Sequence, residues 1–546
     1  MSDLLGVFGF LVVLLRAAIL CFQTIAVGGI TFLLIAARTP ELRSEAILRS
    51  SWTLIRGSAL ALALSQFFFI VANSLVLTYS TDIPVSFVLR ANYFWAGVVA
   101  VLAAVVLATW PASLRTSVNP IVLLPAALVL ASSVMTSHSA SRVEGRLFLV
   151  SMTSLHYLAT ATWIGGLPYL LLSPKRAADP AARNQIMRNF SLLAQISVAV
   201  LILAGVGMAW VYLGSWNAIY GTAYGVMLCA KIVLLMALLL LGAANYSIVK
   251  GVQTDNGTGA RSLFRFGEAE IGIGLAIILT AASMTAQPPG VDLTEDRVSV
   301  HEIVQRYAPR MPRFTSPPVN QVSESTEEIM KRAAAEGKKL PPSFIPGTSG
   351  IGVNTPNDIA WSEYNHNCAG FVVFLMGLLA LLSRSRSFSW AKIWPLAFLL
   401  LAIFLFFRAD PENWPLGPNG FWESFKVTDV LQHRLAVVLI VVFAIFQYRV
   451  ETNRVKSMAA ALVFPAVCAL GGVVLLTHTH ALSNIKEELL VEMSHTPLAV
   501  FGIFAGWSRW LELRLPPENT ARKYLAWVWP ICFIMVGLIL MDYHES

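Results

Sequence analysis

The chain of 546 residues has little charge: Asp, Glu, Lys and Arg together make up only 13% of it. Soluble globular proteins carry about 25% charged residues. The hydrophobic fraction is 56% and the mean hydropathy is +0.66, which is more apolar surface than one soluble core can bury. These values exclude a soluble enzyme, a disordered scaffold and a nucleic-acid-binding protein, and they predict that most of the chain lies in lipid.

Several motifs that would indicate other chemistry are also absent. The sequence contains neither a Walker A motif nor an aspartyl-phosphate D-K-T-G signature, which excludes ATP hydrolysis by the known routes. Its five cysteines are widely spaced and form no C-x-x-C pair, which argues against a disulfide framework, a zinc ribbon and covalent c-type haem. We therefore expect no enzymatic activity, unless the haem alternative given below holds.

Fourteen apolar stretches predict an all-α polytopic integral membrane helix bundle, because about 20 apolar residues suffice for one helix to cross a bilayer. They lie at 6–36, 57–79, 92–111, 120–137, 148–173, 190–213, 223–247, 267–286, 365–382, 393–407, 431–448, 457–477, 496–511 and 524–541. A charged, proline-rich stretch separates the first eight from the last six. We expect an eight-helix membrane domain (1–286), an external linker (287–364) and a six-helix membrane domain (365–546).

The positions of Lys and Arg predict the orientation. With the N-terminus outside, alternate short loops are rich in basic residues, and these loops hold more than half of the 39 Lys and Arg. Basic residues concentrate in cytoplasmic loops, so these loops are predicted to be cytoplasmic. Both termini and segment 287–364 are then outside. The net charge of +8 reflects this bias, not a polyanionic partner.

The histidines are the strongest functional signal, because in this topology none of the nine lies on the cytoplasmic side. His156 falls in the outer half of the fifth predicted helix. The others map to outer loops or outer helix ends: His138, His301, His366, His433, His478, His480, His495 and His544. A single interfacial histidine is more simply a helix-end residue. The whole set on one side favours a ligand function.

His478 and His480 form the sharpest local pattern. Residues i and i+2 of an α-helix point about 200° apart, whereas in an extended chain they share a face. The pair lies where the twelfth predicted helix ends, so both rings can converge on one ion if that helix ends at Thr477. Met493 and Cys368 are soft ligands nearby.

Three further histidines, His366, His433 and His495, open predicted helices at the same depth as this pair. Imidazoles suit copper or zinc. We expect His433, His478, His480 and His495 to converge on a metal ion, with His366 nearby.

The first part holds a weaker version of this pattern. Met135–Ser141, which contains His138, resembles Thr477–Ser483, and each copy is followed by another histidine, His156 or His495. His156 lies within a membrane helix, where a polar residue is a functional candidate by default. Gly165 and Gly166 indicate close helix packing.

These motifs resemble a known family. Leu155-His156 with Trp163-Ile-Gly-Gly166, then Arg188-Asn-Phe-Ser191, then Tyr224-Gly225 with Lys231 resemble the copper resistance protein D (CopD) family of bacterial inner-membrane proteins. Asn365-His366, Asp410 to Gly417, Leu431 to Arg434, Thr477 to His480 and Val491 to Pro497 resemble the C-terminal extension of long CopD-like proteins.

The resemblance implies copper transport or copper delivery at the periplasmic face of the inner membrane. It also implies a small periplasmic copper-binding partner of the CopC type. It assigns metal binding to His138 and His156 in the first part, and in the second part to His366, His433, His478, His480 and His495. The chain has no external tract rich in Met or His, so the resemblance leaves open whether the protein binds free copper directly.

Two alternatives remain. Paired histidines at equal depth on neighbouring helices also bind b-type haem, which would make the protein a haem-binding membrane oxidoreductase or assembly factor. A channel or scaffold without a metal is the other reading.

The topology is testable with a single cysteine in a variant that lacks the native ones. Met330→Cys should react with a membrane-impermeant maleimide from the periplasmic side, because segment 287–364 is predicted to be external. Ser385→Cys, in a predicted cytoplasmic loop, should react only after the membrane is permeabilised. Protection of residue 330 in intact cells would overturn the orientation.

Overall fold

The structure is a computed structural model. It describes residues 2–38, 45–81, 84–111, 120–173, 180–251, 258–294, 297–318, 356–410, 413–425, 428–477 and 486–545.

The prediction of an all-α polytopic membrane protein is confirmed. The described residues are 83% helical and include no strand. Those residues include twelve helices that are long and apolar enough to cross a membrane. The two other predicted stretches, 92–111 and 120–137, correspond to the shorter apolar helices Asn92–Ala108 and Pro120–Met135. The number fourteen therefore stays a prediction.

The chain forms two compact units. Unit 1 comprises residues 1–297 with 476–482, and unit 2 comprises residues 298–475 with 483–546. The predicted domain boundaries, which set segment 287–364 apart, stay a prediction.

Twelve α-helices are described in residues 1–297. They are α1 (Ser2–Arg38), α2 (Glu45–Thr81), α3 (Val85–Val88), α4 (Asn92–Ala108), α5 (Leu123–Met135), α6 (His138–Ser141), α7 (Arg146–Trp163), α8 (Leu167–Leu172), α9 (Pro180–Leu213), α10 (Asn217–Gly221), α11 (Ala223–Gly251) and α12 (Thr258–Met284). Short 3-10 helices lie at Pro120–Val122 and Gly290–Asp292.

Nine α-helices are described after residue 297. They are α13 (Val300–Arg306), α14 (Pro356–Leu382), α15 (Ala397–Arg408), α16 (Phe421–Ser424), α17 (Thr428–Glu451), α18 (Met458–Ala461), α19 (Val463–Thr477), α20 (Lys486–Arg514) and α21 (Ala521–Met541). A longer 3-10 helix spans Arg386–Leu396.

Glycines allow α1 to cross closely over the end of α7 in unit 1. A Cβ atom added to Gly165 would lie 1.9 Å from the Thr24 carbonyl oxygen, and one added to Gly28 would lie 2.3 Å from the Gly165 carbonyl carbon. Only glycine permits such an approach of two backbones. The packing role predicted for Gly165 and Gly166 is confirmed.

In unit 2, close packing of α14 against α21 positions the candidate site. A Cβ atom added to Gly537 would lie 2.4 Å from the backbone nitrogen of Phe374. Trp394, Phe464 and Trp529 fill the core nearby, each almost fully buried. This contact brings the end of α21 and the residues after it beside the first turns of α14.

The tenth predicted helix (393–407) differs from the structure. Its N-terminal part is the 3-10 helix Arg386–Leu396, in which Phe388 has non-helical torsion angles, and α15 begins only at Ala397. Pro395 lies at this junction, where it cannot donate a backbone hydrogen bond. Hydropathy identifies the apolar stretch but does not distinguish the two kinds of helix.

Helix α13 was missed by the sequence analysis. Ser299 and Glu302 form a capping box at its start, in which each side chain bonds the other residue's backbone. The S-x-x-E spacing was the available signal.

Candidate metal centre

Three aromatic rings meet in unit 2. His366, near the start of α14, and His495, on α20, have ring centroids 5.8 Å apart and planes almost perpendicular at 88°. Tyr543, just after α21, stacks on His366 at 4.0 Å and meets His495 edge-on at 5.7 Å. Two predicted ligands from different helices are therefore neighbours.

Backbone carbonyls select the same tautomer for both imidazoles. Nδ1 of His366 lies 2.8 Å from the Ser362 carbonyl oxygen, and Nδ1 of His495 lies 2.8 Å from the Val491 carbonyl oxygen. A carbonyl only accepts, so each Nδ1 donates a proton and the lone pair of the neutral ring is on Nε2. This is the arrangement of a metal-binding histidine, whose other ring nitrogen donates to a carbonyl or carboxylate.

The separation of the two rings fits a shared ion. Metal–nitrogen bonds are about 2 Å long, so two imidazoles on one ion can have centroids as far apart as about 6 Å. The 5.8 Å between His366 and His495 lies within that limit. The pair supplies two nitrogen donors.

The Glu545 carboxylate is linked to these rings through Tyr543. Tyr543 donates its hydroxyl proton to Oε1 of Glu545 at 2.8 Å, and Ser362 donates to the same oxygen. Burial, together with the nearby Glu545 charge, raises the pKa of the Tyr543 phenol, so it stays protonated at neutral pH. The Glu545 charge makes this region more favourable for a cation.

His433 has a different partner. Its Nδ1 lies 2.7 Å from Oδ1 of Asp410. A carboxylate that accepts from Nδ1 orients the ring of many metal-binding histidines. Asp410 is a functional candidate that the sequence analysis did not single out, although it lies in a stretch that carries the family resemblance.

The remaining predicted ligands of the second part are Met493, His478 and His480. Met493 accepts a hydrogen bond on its backbone oxygen from the Tyr307 hydroxyl at 2.6 Å. It lies two residues before His495 on α20, so its side chain points about 200° away from the imidazole. His478 and His480 lie outside the described residues, and α19 extends to Thr477 just before them. The convergence of the predicted ligands stays a prediction.

Within the described residues, no group of three or more His, Cys, Asp or Glu side chains is arranged to hold a metal. His544 does not add a ligand: its Nδ1 lies 2.9 Å from the Asp542 carbonyl and its Nε2 3.3 Å from the Gln305 carbonyl. Both ring nitrogens face acceptors, which leaves no lone pair directed at an ion.

The two predicted ligands of unit 1, His138 and His156, contact different parts of the chain. His138 begins α6 beside the backbone of Thr285 and Gln287, and burial lowers its pKa, so it is neutral at neutral pH. Its buried Nε2 has no hydrogen-bond partner among the described residues. His156, on α7, has Nδ1 3.3 Å from the Leu201 carbonyl oxygen of α9. Each ring is a candidate nitrogen donor.

Residues 184–284 match the family described as Copper resistance protein D. The chain carries a CopD segment. A protein of Bacillus subtilis (strain 168) named copper transport protein CutJ is 31% identical over 163 residues. This match covers 29% of the present chain and 29% of the length of CutJ. No solved structure matches the chain.

The CopD segment extends from α9 to the end of α12 and confirms the resemblance for that part of the chain. It contains no histidine. Every candidate ligand therefore lies outside the matched residues. The C-terminal resemblance is consistent with the six predicted stretches of unit 2.

Removal of either neighbouring imidazole should weaken metal binding. His366→Ala and His495→Ala should each raise the dissociation constant for Cu(I) of the purified protein at least about tenfold, because each removes one nitrogen donor from a shared ion. The double variant should be little worse than either single one, since residues of one site are not additive. Competition with a chromophoric chelator measures this.

His301→Ala is the matched control, because His301 is exposed on α13. Its dissociation constant should equal that of the unmodified protein. Unchanged binding in both His366→Ala and His495→Ala would exclude the pair as ligands.

Proposed function

We propose that the protein transports copper across a bacterial inner membrane, or delivers it there, from the periplasmic face. The observation that carries the proposal is the His366–His495 pair. Carbonyls hold both Nδ1 atoms, and the ring spacing suits one ion. The CopD segment and the similarity to a protein named for copper transport support the choice of metal.

The pair is suited to capture of the ion. Neutral imidazole binds Cu(I) and Cu(II) without a proton having to leave first. The Glu545 carboxylate, bound to Tyr543, adds negative charge beside the rings. Copper is the cargo here, so an arrangement with few fixed ligands serves release as well as binding. His433, oriented by Asp410, and His478 and His480 complete the proposed set.

Passage through the bilayer is assigned to unit 1. An ion in hydrocarbon has a high free energy, so a transport path needs polar groups within the spans. His156 lies inside the span Arg146–Leu172, and Gly205 of α9 leaves space at its ring, where an added Cβ would lie 3.6 Å from Cε1. His138 is the proposed entry residue of this unit.

A periplasmic copper carrier of the CopC type is the proposed donor. The chain has no external tract rich in Met or His that would concentrate copper by itself. The proposed localisation is the inner membrane with both termini in the periplasm, and the protein is proposed to catalyse no reaction.

Copper accumulation in proteoliposomes tests the function. Vesicles with the purified protein should accumulate Cu(I) faster than empty vesicles. His156→Ala should lower the initial rate at least about tenfold, because it removes the nitrogen donor within the span. Mass spectrometry of the metal, normalised to the amount of folded protein, gives the rate.

His301→Ala should transport copper at the unmodified rate. Equal accumulation in protein-containing and empty vesicles would contradict the proposal. A stoichiometric Soret band in the purified protein would favour the haem alternative instead.

A further inference from the structure

Glu270 is a carboxylic acid buried within a membrane-spanning helix of the CopD segment. It is 3% exposed and belongs to the span Arg261–Met284 of α12. At 1.5 Å per residue it lies about 14 Å along the axis from Arg261. An ionisable residue at such a depth is rare and marks a functional site by default.

The hydrogen-bond partner of Glu270 is Asn245 of α11. The Asn245 amide nitrogen donates to Oε1 of Glu270 at 2.8 Å. The amide oxygen of Asn245 is buried and has no hydrogen-bond partner in the part of the chain that the structure describes. Gly242, one turn away, leaves room, since an added Cβ would lie 3.6 Å from Oε1. The side chains of Glu270 and Asn245 therefore present more hydrogen-bond acceptors than donors to each other.

Within the described residues, no basic side chain lies within ion-pair distance of the Glu270 carboxylate. On its own helix, Arg265 pairs with Glu268 at 2.5 Å. On α11, Lys231 lies about 21 Å and Lys250 about 8 Å along the axis from Asn245. Arg16 of α1 bonds Thr136, and Tyr169 of α8 donates to the Ile25 carbonyl. Among the described residues, no basic side chain therefore balances the charge of an ionised Glu270.

A cavity of about 310 Å³ reaches the pair. It is lined mainly by apolar side chains of α7, α8, α9, α11 and α12, and by Glu270, Asn245 and Tyr246. Ser191 and Gln195 of α9 also line it, and the side-chain amide of Gln195 donates to the Ser191 carbonyl oxygen at 3.1 Å. They lie on one face of α9, three and seven residues after Arg188, and make that side of the cavity polar.

We propose that Glu270, held by Asn245, is a proton-binding site that releases a proton when copper passes through unit 1. The inference rests on the proposed function. A proton from cavity water on the free carboxylate oxygen removes the unbalanced charge and provides the donor that the Asn245 oxygen lacks. A copper cation in the unit favours the ionised carboxylate, so its arrival releases that proton to the cavity.

Proton movement in the proteoliposomes tests the exchange. With a pH-sensitive dye enclosed, copper uptake by the unmodified protein should produce a proton signal. Glu270→Gln, which is permanently neutral, should reduce that signal at least about tenfold and remove the pH dependence of the uptake rate. Glu268→Gln is the matched control two residues away and should retain both. Glu270→Asp, which keeps a carboxyl group, should retain part of the signal.

A second readout does not require copper. Infrared difference spectra of the unmodified protein at two pH values should contain a carboxylic acid band that Glu270→Gln lacks and Glu268→Gln retains. Identical spectra for the unmodified protein and Glu270→Gln would overturn the inference. Copper uptake with an unchanged proton signal in Glu270→Gln would also overturn the inference. The proposed function would stand in that case. If the unmodified protein moves no copper, the proposed function fails, and the infrared band alone shows whether Glu270 binds a proton.

Discussion

Hydrocarbon offers no hydrogen bonds, so every polar group that lies within a membrane-spanning helix must find its partner inside the protein. The backbone meets this requirement by forming helices, which is why the described chain contains almost nothing else. Three of the polar side chains in the spans have defined partners. His366 and His495 each use the carbonyl four residues earlier, and Glu270 uses Asn245. The same constraint that fixes the fold therefore selects the tautomer of the neutral candidate ligands.

Helix α20 connects the candidate metal centre to a charged cluster in unit 2. His495 and Glu512 are 17 residues apart on this helix, about 26 Å along its axis. Glu512 binds Arg384, Arg509 at 2.8 Å and the indole nitrogen of Trp529 at 3.0 Å. These contacts join α20 to α21 and to the turn after α14. They hold in register the helices that bring His366, His495 and Tyr543 together.

The sequence predicts those features that depend on hydropathy or on backbone contact. The helix positions follow from apolar length, and the close contact at Gly165 follows from paired glycines. Features that depend on tertiary neighbours were missed. Asp410 lies 23 residues before His433, and Tyr543 meets His366 only because α14 packs on α21. Nothing in the linear sequence indicates that Asn245, 25 residues before Glu270, lies opposite it.

X-ray absorption at the copper edge tests the central claim most directly. The purified protein loaded with one equivalent of Cu(I) should have at least two nitrogen neighbours at about 2 Å, with the outer-shell scattering of imidazole rings. Substitution of His366 and His495 together should lower that imidazole contribution. A copper environment of sulfur atoms alone, or a spectrum unchanged by the double substitution, would contradict the account.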